Sequence, residues 1–130
     1  MLRRAKKRDI SAVKALIDEM ATLGKLLPRS RRDIEKVIHH FYLWEVDGVI
    51  VGCCALEVYS RKLAEIRSLA VHTDHQNKRI GSLLVAACVR EAKHKKIYEV
   101  LCVTDQASFF ERRGFSKQLG PDQYPMFIKP

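Results

Sequence analysis

The sequence predicts an α/β fold in which hairpin-linked strands form a sheet and helices pack against it. Three observations lead there. Val13, Leu16, Ile17 and Met20 recur at helical spacing. Asp47-Gly48 joins two runs rich in β-forming residues, a strong two-residue hairpin signal. An apolar run ending at Val71 enters a polar, basic turn and leaves it as an amphipathic segment from Ile80 onward.

Taken in order, residues 3–5 can open the fold as a short strand, and Asp9 or Ser11 can cap a first helix, which Gly24 ends. After the link at residues 25–29, Ser30 can cap a second helix, with Asp33 three residues on in a capping-box-like arrangement. Its apolar face is Ile34, Val37, Ile38 and Phe41. Residues 43–46 and 49–59 are the two strands of the Asp47-Gly48 hairpin. Ser60-Arg61-Lys62 separates the second of them from residues 63–71, which predicts another hairpin, with Tyr59 opposite Leu63 and Glu57 opposite Glu65. A helix is expected from about residue 80 to 94, burying Ile80, Leu83, Leu84, Ala87 and Cys88. Residues 98–103 read as a central strand and 107–113 as a short helix stopped by Gly114. Residues 115–117 and 124–128 read as the last strands.

At 130 residues, with 47% hydrophobic and 30% charged content, the composition is that of one ordinary globular domain spanning residues 1–130. The charged N-terminus has no apolar run behind it, and no stretch approaches a membrane span, so a cytoplasmic protein without a membrane partner is expected. Cys53, Cys54, Cys88 and Cys102 lie in apolar segments without C-x-x-C spacing and are expected as buried, reduced thiols. The net charge of +9 suits a polyanionic ligand, but the basic residues are scattered and not interleaved with aromatics, which disfavours nucleic acid. His39, His40, His72, His75 and His94 show no metal-ligand spacing with a carboxylate, so no metal is expected.

The turn after Val71 carries the chemistry. A helix start presents unpaired N–H groups and partial positive charge, so this strand-turn-helix is built to hold an anion such as a phosphate. Its residues Gln76-Asn77-Lys78-Arg79-Ile80-Gly81-Ser82 resemble the acetyl-CoA-binding motif Arg/Gln-x-x-Gly-x-Gly/Ala of the GNAT N-acetyltransferases, with Arg79 where that family usually has its first glycine. Glu65-Ile66-Arg67-Ser68-Leu69-Ala70-Val71 and Phe109-Phe110-Glu111-Arg112-Arg113-Gly114-Phe115 extend the resemblance over almost the whole chain. It implies a GNAT fold, whose central mixed, mostly antiparallel sheet is splayed between strands 4 and 5 and flanked by helices. It also implies an acetyl-CoA-dependent N-acetyltransferase in which the acceptor amine attacks the thioester directly.

In the resembled family the end of the fourth strand, here Leu69, Ala70 and Val71, pairs through its backbone with the pantetheine arm. The pyrophosphate would lie on the amides from Gln76 through Asn77, Lys78, Arg79, Ile80 and Gly81 to Ser82. Gly81 permits close approach, and Lys78 and Arg79 add charge. Many members protonate the departing thiolate with a tyrosine at the position of Phe110, which has no proton to give; Phe110 is still expected beside the cofactor.

Acetyl transfer needs a neutral amine, hence a proton acceptor. Strict alternation places Glu65, Arg67, Leu69 and Val71 on one face and makes Glu65 the candidate base. Glu57 across the ladder is a second carboxylate, whose repulsion would raise one of the two toward the working range of a base. Phe110 and the segment Gly24-Lys25-Leu26-Leu27-Pro28-Arg29-Ser30-Arg31 are similar to the acetyltransferase domain of N-acetylglutamate synthases, where the arginine contacts the glutamate carboxylate. A guanidinium fork suits that bidentate partner, so Arg29 leads an expected acceptor site with Ser30, Arg67 and Cys53. The synthases carry a basic residue just after the fifth strand, where this chain has Thr104-Asp105-Gln106, which leaves a related amino acid or small amine open. The expected partners are acetyl-CoA and a small, carboxylate-bearing amine such as glutamate, a step of arginine biosynthesis in that family; a homodimer is admissible. A protein or peptide amine acetyltransferase, a non-catalytic acyl-CoA-binding module and a nucleic-acid-binding module stay open as alternatives.

Overall fold

A computed structural model describes all 130 residues. At its centre is a five-stranded sheet in the order β1-β2-β3-β4-β5, formed by β1 (Leu2–Arg4), β2 (Phe41–Val46), β3 (Val49–Val58), β4 (Leu63–Val71) and β5 (Glu99–Leu101). The first four strands pair antiparallel, whereas β5 runs parallel to β4. Helices α1 (Ile10–Thr22) and α2 (Arg31–Val37) cover one face, and α3 (Ile80–His94) covers the other. A fourth helix, α4 (Ala107–Glu111), follows β5. This is the mixed, helix-flanked sheet that the sequence implied.

Local signals explain most of the elements. The α1 stripe of Val13, Leu16, Ile17 and Met20 is buried against the sheet together with Phe41 and Leu43. The helix ends where Gly24 takes a positive φ of 73° and its N–H bonds Ala21 O at 2.9 Å, while Lys25 N–H bonds Met20 O at 2.9 Å. Asp47 and Gly48 both adopt positive φ, as a type I′ turn requires. The loop at residues 60–62, closed by Tyr59 N–H on Leu63 O at 3.0 Å, holds the expected register, with Glu57 opposite Glu65.

Two departures from regularity shape the molecule. Along the β3–β4 ladder, Cys53 pairs with Ala70 but Ala55 pairs with Arg67, so Ser68 and Leu69 together stand opposite Cys54. This is a β-bulge, with Ser68 at a positive φ of 57°. The extra residue inverts the alternation. Ala64, Ile66, Leu69 and Val71 pack with the α3 face, whereas Ala70 joins the α1 face, on which Arg67 meets Glu57. The expectation that Glu65, Arg67, Leu69 and Val71 share a face is therefore corrected: the carboxylate and the cation lie on one side, and the two apolar residues on the other.

The second departure is that β4 and β5 pair only through Leu63 with Glu99, Ala64 with Val100 and Glu65 with Leu101. From residue 66 to 71, β4 has no strand beside it on that edge, which is the expected splay.

Other expectations change in detail. The second helix stops at Val37, and a 3₁₀ turn at Ile38–His40 carries the chain into β2, although Ile34, Ile38 and Phe41 are all buried. Ser30 caps α2 by accepting Asp33 N–H at 3.1 Å, but the Asp33 carboxylate turns to Arg29 instead of completing a capping box. Leu83 is exposed, because the buried stripe of α3 runs through Ile80, Leu84, Val85 and Cys88. The strand expected at residues 98–103 is reduced to β5 and lies at the edge of the sheet, not at its centre, and residues 115–117 and 124–128 form no strands. Pro125 cannot donate to a ladder, and Met126, Phe127 and Ile128 are exposed with nothing paired against them.

Candidate active site

At the mouth of the splay, the turn from β4 into α3 is made of residues in unusual backbone conformations. Asn77 and Arg79 both sit in the left-handed region, at φ of 63° and 65°. Asn tolerates this readily; an arginine there costs roughly 1–2 kcal/mol that a glycine would not. Arg79 thus keeps the backbone shape that its missing glycine would have supplied, and it adds a charge. Neither Lys78 nor Arg79 has a carboxylate within ion-pair distance, and both are exposed. Ile80, whose side chain is buried, and Gly81 and Ser82 form the first turn of α3, where N–H groups lack intrahelical acceptors. The first turn lies close on the sheet: a Cβ on Gly52 of β3 would meet Ile80 Cγ2 and Leu84 Cδ1 at 3.1 Å.

The open edge of β4 ends beside this turn. The Val71 carbonyl is directed away from β3 and accepts the Gln76 side-chain amide at 3.0 Å. Gln76 thus braces the edge through its side chain, whereas its backbone N–H, expected in the phosphate cradle, is turned back to Thr73 O at 3.4 Å. Ala70 is buried and its backbone faces Cys53 of β3, so it is not part of the open edge, where Val71 lies. Phe110, expected beside the cofactor, is instead 6% exposed and packs edge-on between Phe109 and Phe115 in the core. Phe109 is the ring that approaches the turn, with Cζ 3.5 Å from the position of a Cβ on Gly81.

On the opposite face of the sheet lies a cluster of paired charges. Arg29, just before α2, reaches β3 and β4 with only 3% of its side chain exposed. Its Nε donates to Asp33 Oδ2 at 2.8 Å, and its Nη1 donates to Glu57 Oε2 at 3.1 Å and to Ser68 Oγ at 3.2 Å. Its Nη2 is buried and has no hydrogen-bond partner. Burial works against the Arg29 cation, but the bonds to Asp33 and Glu57 outweigh it and the net shift is upward. The same Arg29 hydrogen bond holds the Asp33 carboxyl below its ordinary value. Glu57 also faces Arg67 Nη1 at 3.5 Å; the Arg67 side chain is 39% exposed and stands at the rim.

Glu65, one step along from Arg67 on the same face, accepts the Tyr59 hydroxyl on Oε1 at 2.5 Å. Burial, reinforced by that bond, pushes Tyr59 up to about 12, so it remains a donor at neutral pH. The two carboxylates therefore have separate partners: Glu57 lies between two guanidinium groups and Glu65 is held by a phenol. Two expected acceptor residues are not free. Ser30 Oγ is spent on its helix cap. Cys53 is fully buried, its thiol is pushed up to about 12 by burial, and it lies 3.3 Å from Ser68 O. Ser68 and Arg113 join the two regions without having been singled out in the sequence. The bulge that brings in Ser68 is a property of the ladder, and Arg113 is one of many arginines until the fold brings it to Ser82, where its Nε lies 2.7 Å from Oγ.

Comparison with known proteins places these features in context. Residues 11–115 match the Acetyltransferase (GNAT) family. The chain is 36% identical over 127 residues to an uncharacterized N-acetyltransferase of Chlorobaculum tepidum, covering 98% of this chain and 81% of that protein. It is 35% identical over 116 residues to the amino-acid acetyltransferase of Pasteurella multocida, covering 88% of this chain but only 26% of the relative. Among solved structures, Rv2747 from Mycobacterium tuberculosis, in complex with CoA and NLQ, superposes with a TM-score of 0.83 at 28% identity, over 94% of this chain and 76% of that one. The N-acetylglutamate synthase of Neisseria gonorrhoeae, complexed with coenzyme A and N-acetyl-glutamate, gives 0.81 at 31% identity, over 87% of this chain and 27% of that one.

Proposed function

The chain belongs to the GNAT acetyltransferase family, with acetyl-CoA as its co-substrate, and from that premise we propose that its acceptor is the amine of a small carboxylate-bearing amino acid of the glutamate type. The observation that carries this reading is the buried, unpartnered Nη2 of Arg29. A buried guanidinium donor without an acceptor is costly, and a carboxylate is the ligand that best satisfies it. Arg67, half-exposed at the rim and sharing Glu57 with Arg29, supplies a second cation suited to a second carboxylate. The match to a synthase complexed with N-acetyl-glutamate, and to amino-acid acetyltransferases of which this chain spans about a quarter, supports the same acceptor class.

In this reading Glu65 takes the proton from the attacking amine, directly or through water, on the oxygen that Tyr59 leaves free. Glu57 acts as a positioning residue that holds Arg29 and Arg67 in place. Backbone N–H groups near Leu69 and Val71 stabilise the developing oxyanion, and the amides of residues 77–82, with Lys78 and Arg79, hold the pyrophosphate. The test is a CoA-release assay against a panel of amino acids, simple amines and peptides. Turnover is expected with dicarboxylic amino acids, and Arg29→Lys should raise the acceptor KM at least tenfold while leaving the KM for acetyl-CoA unchanged. Release with peptides alone, or an unchanged acceptor KM, would overturn the proposal.

A further inference from the structure

Resting on the reading of residues 77–82 as the phosphate cradle, we propose that Arg113 is a positioning residue that fixes the polarity of the Ser82 hydroxyl, so that Ser82 donates to a phosphate oxygen of coenzyme A. Arg113 follows α4 and turns back to α3. Its guanidinium lies over the Phe109 ring, 3.7 Å from the centroid, and Nη1 donates to Phe109 O at 2.5 Å. Its Nε, at 2.7 Å, and its Nη2 both donate to Ser82 Oγ. A guanidinium has donors and no acceptor, and a hydroxyl oxygen has two lone pairs and one proton. With both lone pairs engaged, the serine can only give its proton. A helical serine often returns that proton to a carbonyl three or four residues earlier; Ser82 makes no such bond.

The donor so created stands at the third residue of α3, beside first-turn N–H groups that already favour an anion. The electrostatics agree. Arg113 has no carboxylate within ion-pair distance, and burial together with the neighbouring charge of Arg112 weighs against its cation. A phosphate near Ser82 relieves that imbalance. The fork geometry is essential here, because only a planar group can address one oxygen with two N–H bonds while a third holds Phe109 O.

The experiment is calorimetric titration of coenzyme A into the wild type, Ser82→Ala, Arg113→Lys and the double variant, with melting temperatures of the unliganded proteins as a control. Arg113→Lys keeps the charge and loses the fork. Each single change is expected to weaken binding roughly tenfold, in line with one charged hydrogen bond. The double variant should be no weaker than Ser82→Ala, because Arg113 acts through Ser82. Ser82→Thr, which keeps the hydroxyl, should bind as the wild type does. Wild-type affinity in Arg113→Lys, losses that multiply to about a hundredfold in the double variant, or weak binding by Ser82→Thr would each overturn the assignment. Failure of the wild type to bind coenzyme A would instead overturn the reading of the cradle itself.

Discussion

The two sides of the β4 strand present hydrogen-bond donors in opposite ways. At the turn into α3 the donors are backbone amides, and the nearby cations Lys78 and Arg79 are exposed and unpaired. On the α1–α2 face the donor is a buried side chain, Arg29, held by Asp33, Glu57 and Ser68. A cradle made of backbone leaves its side chains free wherever they can take the required φ, as Arg79 does at 65°. A site made of a buried guanidinium depends on every partner that balances it.

The sharpest way to break that comparison is Arg29→Ala. It leaves Glu57 without its nearest cation, and we expect a loss of about 3 kcal/mol in urea unfolding, in the range for breaking a buried ion pair. The pH dependence should change with it. Asp33 has a lowered pKa in the folded protein, so its stabilising contribution is complete above the usual carboxylate range, near pH 4, and is lost as the pH falls below it. Acid sensitivity in that window should be weaker in Arg29→Ala; an unchanged profile would detach Asp33 from Arg29.

Next in size is Ser68→Val. A β-branched residue at φ of 57° is strained by roughly 1–3 kcal/mol, whereas Ser68→Gly should keep the melting temperature within a few degrees. Equal melting points for the two would mean that the bulge is not held where it is described. Tyr59→Phe removes the phenol that holds the Glu65 carboxylate, so kcat should fall severalfold with little change in stability or in the KM for acetyl-CoA. An unchanged kcat would mean that the phenol does not position Glu65 for proton transfer. The smallest effect is expected for Arg79→Gly. Stability should change by less than about 1 kcal/mol, because relief of the left-handed strain is offset by greater freedom of the unfolded chain. Coenzyme A affinity should fall severalfold and depend less steeply on salt.

Much of this arrangement can be read from residue order alone. Asp47-Gly48 announces its turn, the α1 stripe announces its buried face, and residues 76–82 together with Gly114-Phe115 point to the family that the comparisons then show. Glu57 opposite Glu65 follows from a three-residue loop. The bulge at Ser68 escapes such reading, because nothing local distinguishes a serine that will be doubled against Cys54 from one that will alternate. One extra residue then moves Leu69 and Val71 to the other face. Cys53 and Phe110 are misplaced for a related reason: their chemistry suits a site, but their depth is set by the packing of distant segments. Arg29 is found by resemblance, yet its burial and its orphaned nitrogen are products of tertiary contact between the α1–α2 link and the sheet.

The brevity of the β4–β5 ladder has a mechanical meaning. Three residue pairs join β5 to the sheet, while Val100, Phe109 and Phe110 anchor the same region through apolar packing against the α3 side. Prising the two strands apart by a small angle stretches few hydrogen bonds, each worth about 1 kcal/mol net, and leaves the four antiparallel strands untouched. The gap is bounded by one strand tied over three pairs and one held along its length, and the register that sets Glu57 opposite Glu65 belongs to the firmly held side.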